Sequence, residues 1–275
     1  MALPPLGRPG MRHGRLLSLY CMALYAFLYL PLGVMAVFSF NDAHRNVVWR
    51  GFTFKWYQLL FHDAELLGAL LTSLELAAAA AAIAAVLGLL ASYALTRHRP
   101  FKSREGYGAL LDAPLMMPEV ALGVGLLSFL VRAGYELDFG ALACAHALIC
   151  LPYTVGAARA RLKSMGESHL EEAAMDLGAT ELTAFLKVTL PLAMPAIVSG
   201  CLLAFTVSFE DFVTSFFLAG IGIVTMPIKV YSMMKFGVTP EINALSVLLL
   251  VATFGLLALN AALASSRPRR DGCGP

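Results

Sequence analysis

Residues 168–191 read SHLEEAAMDLGATELTAFLKVTLP, a charged interval rich in small residues between two long apolar runs. Ser168 with Glu171 three places on forms a capping box, which starts a helix by satisfying its first backbone N–H groups. Leu170, Ala173, Ala174 and Leu177 then recur at i, i+3, i+4 and i+7, a single apolar stripe flanked by Glu171, Glu172 and Asp176. Gly178 supplies the left-handed backbone that ends a helix. Thr180 is placed to cap a second short helix, and Pro191 separates that helix from the apolar run beyond. The stretch predicts a helix of about ten residues, about 15 Å long. An amphipathic helix this short is marginal in water unless it packs on something. Either the ends of this chain's own helices or a separate protein would serve.

Outward from this interval the chain is apolar. Of 275 residues, 59% are hydrophobic and 14% charged, against about 25% charged residues in a soluble domain. A bilayer core needs about 20 apolar residues per helical span. Six stretches qualify: Leu16–Phe40, Leu66–Leu95, Ala109–Val131, Phe139–Val155, Ala193–Phe217 and Ala244–Leu263. The expected fold is all-α and polytopic, with a cytoplasmic tail 1–15, a six-helix domain 16–265 containing a cytoplasmic loop 159–191, and a second tail 266–275. The first run follows Arg8, Arg12 and Arg15 but is too long for a signal peptide and lacks a small-residue cleavage site, so it is read as a retained span.

Lys and Arg near span ends set the orientation. With both termini in the cytoplasm, 14 of the 20 basic residues fall inside, among them Arg97, Arg104, Arg159 and Lys187, while Arg45, Arg50, Lys55, Arg132, Lys229 and Lys235 fall outside. Two of the external segments carry more pattern than a plain loop. Val47–Leu60 holds Trp49, Phe52, Trp56 and Tyr57, which suits a membrane-interface belt or contact with an external partner. Ile221–Ala244 holds Pro227, Gly237 and Pro240 and reads as a structured re-entrant or surface segment.

Chemistry-bearing clusters are few. The cysteine count is odd, so no disulfide framework is suggested. Cys144, His146 and Cys150 resemble metal ligands only superficially, because on a helix Cys144 points nearly opposite His146, and no metal site is expected. No G-x-x-x-x-G-K-[ST] phosphate loop occurs, so any ATP chemistry would belong to another chain. The absence of a catalytic His/Ser/Asp or metal cluster argues against a membrane-embedded enzyme; a channel is the other different-class reading.

Charge inside spans is expensive and marks candidate substrate paths. Glu75, Asp112, Glu119, Glu210 and Asp211 all lie within the expected spans, with no Lys or Arg between the ends of those spans. That asymmetry favours a cationic cargo. Glu119 is placed near mid-bilayer, with Pro114 and Pro118 before it to bend the helix, and broken helices are where transporters commonly bind substrate. Glu210 and Asp211 are adjacent, about 100° apart on a helix, so only one of them is expected to point inward. They lie among Thr206, Ser208, Thr214 and Ser215. Phe205, Phe209, Phe212, Phe216 and Tyr231 offer apolar walls for a cargo with methylene stems.

Glu172-Ala173-Ala174, three residues, Gly178, nine residues, then Val188-Thr189-Leu190-Pro191 resembles the EAA loop of ABC importer permeases, with Val in place of the usual Ile. Most of the chain is similar to the second permease subunit of spermidine/putrescine importers. The matching stretches include Ser39-Phe40-Asn41, Trp56-Tyr57, Met117-Pro118-Glu119-Val120, 190–200, 203–206 and GVTPEINA at 237–244. That family carries an acidic residue matching Glu119 and Asp-Asp where this chain has Glu210-Asp211, and typically an uncharged residue at Glu75. The resemblance implies a type I ABC importer permease fold in a bacterial inner membrane. It implies ATPase coupling through Glu172, Ala173, Ala174, Gly178, Leu190 and Pro191, and no cofactor on this chain, ATP and Mg being used by a partner ATPase. The implied partners are a second permease, two ATPase copies, an external polyamine-binding protein and membrane lipid, with no nucleic acid. A permease for another small organic cation, an amino acid derivative or a metal is the alternative within the same machinery.

Overall fold

The computed structural model describes residues 11–43, 48–97, 103–166, 169–235, 237 and 239–265. Ser168 of the expected capping box and the terminal segments 1–10 and 266–275 lie outside the described residues. The helices are α1 (Met11–Phe38), α2 (Lys55–His62), α3 (Ala64–Arg97), α4 (Arg104–Met116), α5 (Glu119–Arg132), α6 (Phe139–Gly166), α7 (Leu170–Asp176) and α8 (Glu181–Ala184). A π-helical turn (Phe185–Thr189) leads into α9 (Leu190–Glu210), followed by α10 (Val213–Leu218), α11 (Met226–Lys235) and α12 (Pro240–Ser265).

The expected six spans appear in altered form. Four helical stretches are long and apolar enough to cross a membrane: Leu17–Phe38, Ala64–Thr96, Phe139–Met165 and the continuous Glu181–Glu210. The third expected span is instead two helices, α4 and α5, bent by 110° at a short break, and counts as a fifth crossing only if the pair is one span. In α12 the apolar stretch of the described residues is shorter, Pro240–Gly255. The fourth expected span, the shortest by hydrophobicity, runs on as helix to Gly166.

The chain divides into two compact units. One comprises residues up to His62 with Met233–Val251. In it the Ser39-Phe40-Asn41 stretch organises the loop between α1 and α2. Asn41 is fully buried; its side-chain amide donates to the Val48 carbonyl (2.9 Å) and its Oδ1 accepts from Arg50 N–H (2.9 Å). Trp56 Nε1–H donates to the Asn41 carbonyl at 2.8 Å, and an isolated antiparallel bridge joins Asn41 to Phe52. Phe40 stacks on Phe52 with centroids 5.1 Å apart. Trp56 of the aromatic segment is thus buried and closes the loop, while Trp49 is exposed.

The second unit, Asp63–Ser232 with Ala252 onward, is built on α3, α6 and α9. Their contact faces are made of small residues: Ala77, Ala80, Ala81 and Ala84 of α3 and Ala204 of α9 are buried. Small side chains let helix backbones approach closely where apolar lipid offers no hydrophobic drive for association. At Gly88 a Cβ would collide with the Thr154 side chain, and at Gly200 one would lie 2.9 Å from Ala157 Cβ. Hydroxyls and a thiol cross the same seams. Thr154 Oγ1 donates to the Ala84 carbonyl (2.7 Å), Ser92 Oγ to that of Val155 (3.1 Å), and Cys150 Sγ to that of Ala204 (3.2 Å). α11 is tied to α3 by Met226 N–H on Ser73 Oγ (2.7 Å) and by the Lys229–Glu65 ion pair (2.6 Å).

Candidate functional site

Two helix breaks define the site. The first lies between α4 and α5. Met117 is extended (φ −87°, ψ 140°), as a residue before proline is driven to be. Pro118, extended in ψ, is the N-cap of α5, and Glu119 is its first residue. Pro114, also expected to bend the span, sits inside α4 without interrupting it. The bend belongs to Pro118 alone.

The second break follows Glu210. α9 stops there, Asp211 is extended (φ −71°, ψ 112°), and the chain resumes as α10 at Val213. Asp211 holds this restart: its Oδ2 accepts from the backbone N–H of Thr214 (3.0 Å) and Ser215 (3.3 Å). Glu210 Oε1 accepts from Thr253 Oγ1 at 3.4 Å.

Both breaks open on one cavity of about 430 Å³, lined by Glu119, Glu210 and Asp211 together with Pro114, Tyr153 and Phe212, among others. No Lys or Arg is among its lining residues. The expectation that only one of Glu210 and Asp211 would point inward is corrected. Because the helix ends between them, the 100° helical offset does not apply, and both line the cavity. Glu75 and Asp112 are not brought to it. Glu75 is exposed on α3, and Asp112 is half-buried on α4. Of the aromatic candidates, Phe212 lines the cavity and packs on Tyr231 (4.9 Å) and Phe216 (5.3 Å). Phe205 and Phe209 stack on each other at 6.3 Å.

Two residues beside the site were not singled out for it from sequence. Tyr153, on α6, lines the cavity but carries no periodic signal. His146 is fully buried. Its Nδ1 lies 2.9 Å from Ser208 Oγ, and its Nε2 lies 3.2 Å from Ser215 Oγ and 3.4 Å from Asp211 Oδ2. The available signal was a lone ionisable side chain in an apolar helix.

The 168–191 stretch forms a hairpin of short helices. Gly178 takes φ +88°, with its N–H on the Met175 carbonyl (2.9 Å) and Ala179 N–H on that of Ala174 (3.0 Å). Thr180 Oγ1 accepts from Thr183 N–H at 3.3 Å, capping α8. α7 itself spans Leu170–Asp176, entered through His169 in the left-handed region, whose Nδ1 lies 2.9 Å from Glu172 Oε2. None of its residues is buried, and Leu177 just beyond is 91% exposed. Of the apolar stripe, Leu170, Ala173 and Leu177 are exposed and Ala174 is half-buried, so most of it is left open.

Pro191 does not divide α8 from the following span, as its residue type suggested. Leu190 N–H bonds the Phe185 carbonyl five residues back, and this single π turn carries the helix through to Pro191 at its first positions. A π turn shifts the bonding register just where proline has no N–H to give. Glu171 accepts a hydrogen bond from the buried Thr189, linking α7 to the start of the long helix.

A many-helix membrane protein with small-residue seams, two broken helices around an anionic cavity and an open loop hairpin is the architecture of a transport permease. The chain belongs to the binding-protein-dependent transport system inner membrane component family, whose match covers residues 84–267. It is 40% identical over 259 residues to the spermidine/putrescine transport system permease protein PotC of Escherichia coli (strain K12), covering 94% of this chain and 96% of that one. It is 42% identical over 234 residues to the putrescine transport system permease protein PotI of the same organism, covering 83% of each. Among solved structures it is similar in fold to a bacterial ABC transporter involved in the import of the acidic polysaccharide alginate, with a TM-score of 0.70 over 94% of this chain and 98% of that one at 14% identity. The chain is thus a multi-pass membrane component of a transport system rather than an enzyme.

Proposed function

We propose that this chain forms part of the translocation path of an ATP-driven polyamine importer in a bacterial inner membrane, taking putrescine or spermidine from an external binding protein. The observation that carries the reading is the cavity at the paired helix breaks, which gathers Glu119, Glu210 and Asp211 with no basic residue in its lining. A polyamine carries several ammonium groups on methylene stems, so it needs more than one carboxylate and apolar or aromatic walls between them. Tyr153 and Phe212 supply such walls, and cation–π contact adds to the attraction. The relatives named for spermidine and putrescine transport support the same cargo.

In this reading a second permease completes the path, and two ATPase copies bind and hydrolyse ATP with Mg. Nucleotide-driven closure reaches the spans through Glu172, Ala173, Ala174 and Gly178, then through Leu190 and Pro191 at the start of α9. The open stripe of α7 and the exposed Leu177 suit docking in a groove of that ATPase. Glu75 and Asp112 do not line this cavity, and the cation site of this reading is built without them.

The test is uptake of radiolabelled putrescine and spermidine by cells lacking this subunit and other polyamine importers. Uptake is expected to vanish and to return with the wild-type chain. Undiminished uptake without it would refute the cargo assignment.

A further inference from the structure

We propose that His146 is a positioning residue for cargo, fixing the Asp211 carboxylate and the α9–α10 break in the geometry that faces the cavity; this rests on the cavity being the cation site. The imidazole is fully buried on α6 and reaches three groups on the facing chain. Ser208, two residues before the end of α9, meets Nδ1 at 2.9 Å; Ser215, inside α10, meets Nε2 at 3.2 Å; and Asp211, in the break, meets Nε2 at 3.4 Å. One side chain thus bridges both sides of the interruption and the residue within it.

The chemistry of the partners fixes the proton. An ionised Asp211 can only accept, so with it Nε2 carries the ring's hydrogen, shared between Asp211 and Ser215, and in the neutral ring Nδ1 accepts from the Ser208 hydroxyl. Asp211 Oδ2 takes this contact together with the N–H groups of Thr214 and Ser215. Three donors on one oxygen set the direction of the carboxylate, whose side chain is only 12% exposed. Extended backbone at a helix break has no ladder of its own to hold it, so the buried ring does that work from the neighbouring helix. His146 itself is absent from the cavity lining, and its effect on cargo therefore passes through Asp211.

The experiment is a double-mutant cycle on initial uptake rates of putrescine, measured in the complete importer reconstituted in proteoliposomes. The set is His146→Ala, His146→Gln, Asp211→Asn, Glu119→Gln and the His146→Ala/Asp211→Asn pair. His146→Ala is expected to lower uptake about tenfold. His146→Gln, which keeps an amide donor near Nε2, is expected to recover most of it. In the Asp211→Asn background the alanine change is expected to cost less than about twofold, because residues acting through one another are not additive.

Full multiplication of the two losses, or wild-type uptake by an assembled His146→Ala importer, would overturn the proposal. Should His146→Ala fail to co-purify with its partner subunits, the cycle is run with His146→Gln, His146→Asn and Asp211→Asn. Equal loss from both amide variants, multiplying in full with Asp211→Asn, then refutes the assignment. If Asp211→Asn and Glu119→Gln both transport normally, the cavity reading falls and this inference with it. If they are impaired and only the cycle fails, the cavity stands without His146.

Discussion

Glu119 and Asp211 line one cavity but are held in different ways. Glu119 opens α5, is exposed, and makes no hydrogen bond or ion pair among the described residues. Its replacement by Gln removes charge and a helix-terminus interaction worth about 0.3–1 kcal/mol. Asp211 restrains two backbone N–H groups and meets a buried histidine. Asp211→Ala removes a cap worth roughly 0.5–2 kcal/mol and leaves His146 short of a partner. Thermal unfolding of the purified complex should therefore show a larger destabilisation for Asp211→Ala, which loses its backbone bonds and its histidine contact together, than for Glu119→Gln; equal shifts would contradict this division. The five span carboxylates were legible in the sequence as a group, but their convergence was not. Glu75 falls off the buried α3 face of Ser73, Leu76, Ala77, Ala80 and Ala84, a helical-face argument the sequence permitted. The shared facing of Glu210 and Asp211 depends on a helix end between them that no proline or glycine announces.

At the scale of elements, the loop hairpin was the most readable part of the chain, because its turns rest on local chemistry. Gly178 occupies a positive φ and Thr180 caps α8, as residue type alone indicates. Proline positions were less informative, since their effect depends on the bonding around them. Pro118 produces a 110° bend, Pro114 none, and Pro191 is absorbed by a π turn. A Cβ at Gly178 meets no neighbour within 4 Å but must adopt φ +88°, which costs an L-residue about 1–2 kcal/mol. Gly178→Ala should therefore loosen the α7–α8 hairpin without a steric clash. With a photocrosslinking residue at Ala173 in the intact complex, the wild-type background should crosslink to the ATPase. The Gly178→Ala background should do so several-fold less. Equal yields would show that the left-handed turn does not present α7.

For the whole molecule, the α-helical membrane class followed from composition, while the count of crossings did not follow cleanly. Apolar length alone cannot separate a straight span from two half-length helices meeting at a bend, as α4 and α5 do. The claim on which the functional reading stands is that a cation passes through a site made by Glu119, Glu210 and Asp211. Loss of one charge-assisted interaction costs about 1.5–3 kcal/mol, equivalent to roughly one to two powers of ten. The decisive measurement is ATP-driven putrescine uptake by the reconstituted complex carrying Glu119→Gln, with subunit assembly checked in the same preparation. A fall of about tenfold or more in a fully assembled complex is the result a cation site predicts. Wild-type uptake by that variant would contradict it.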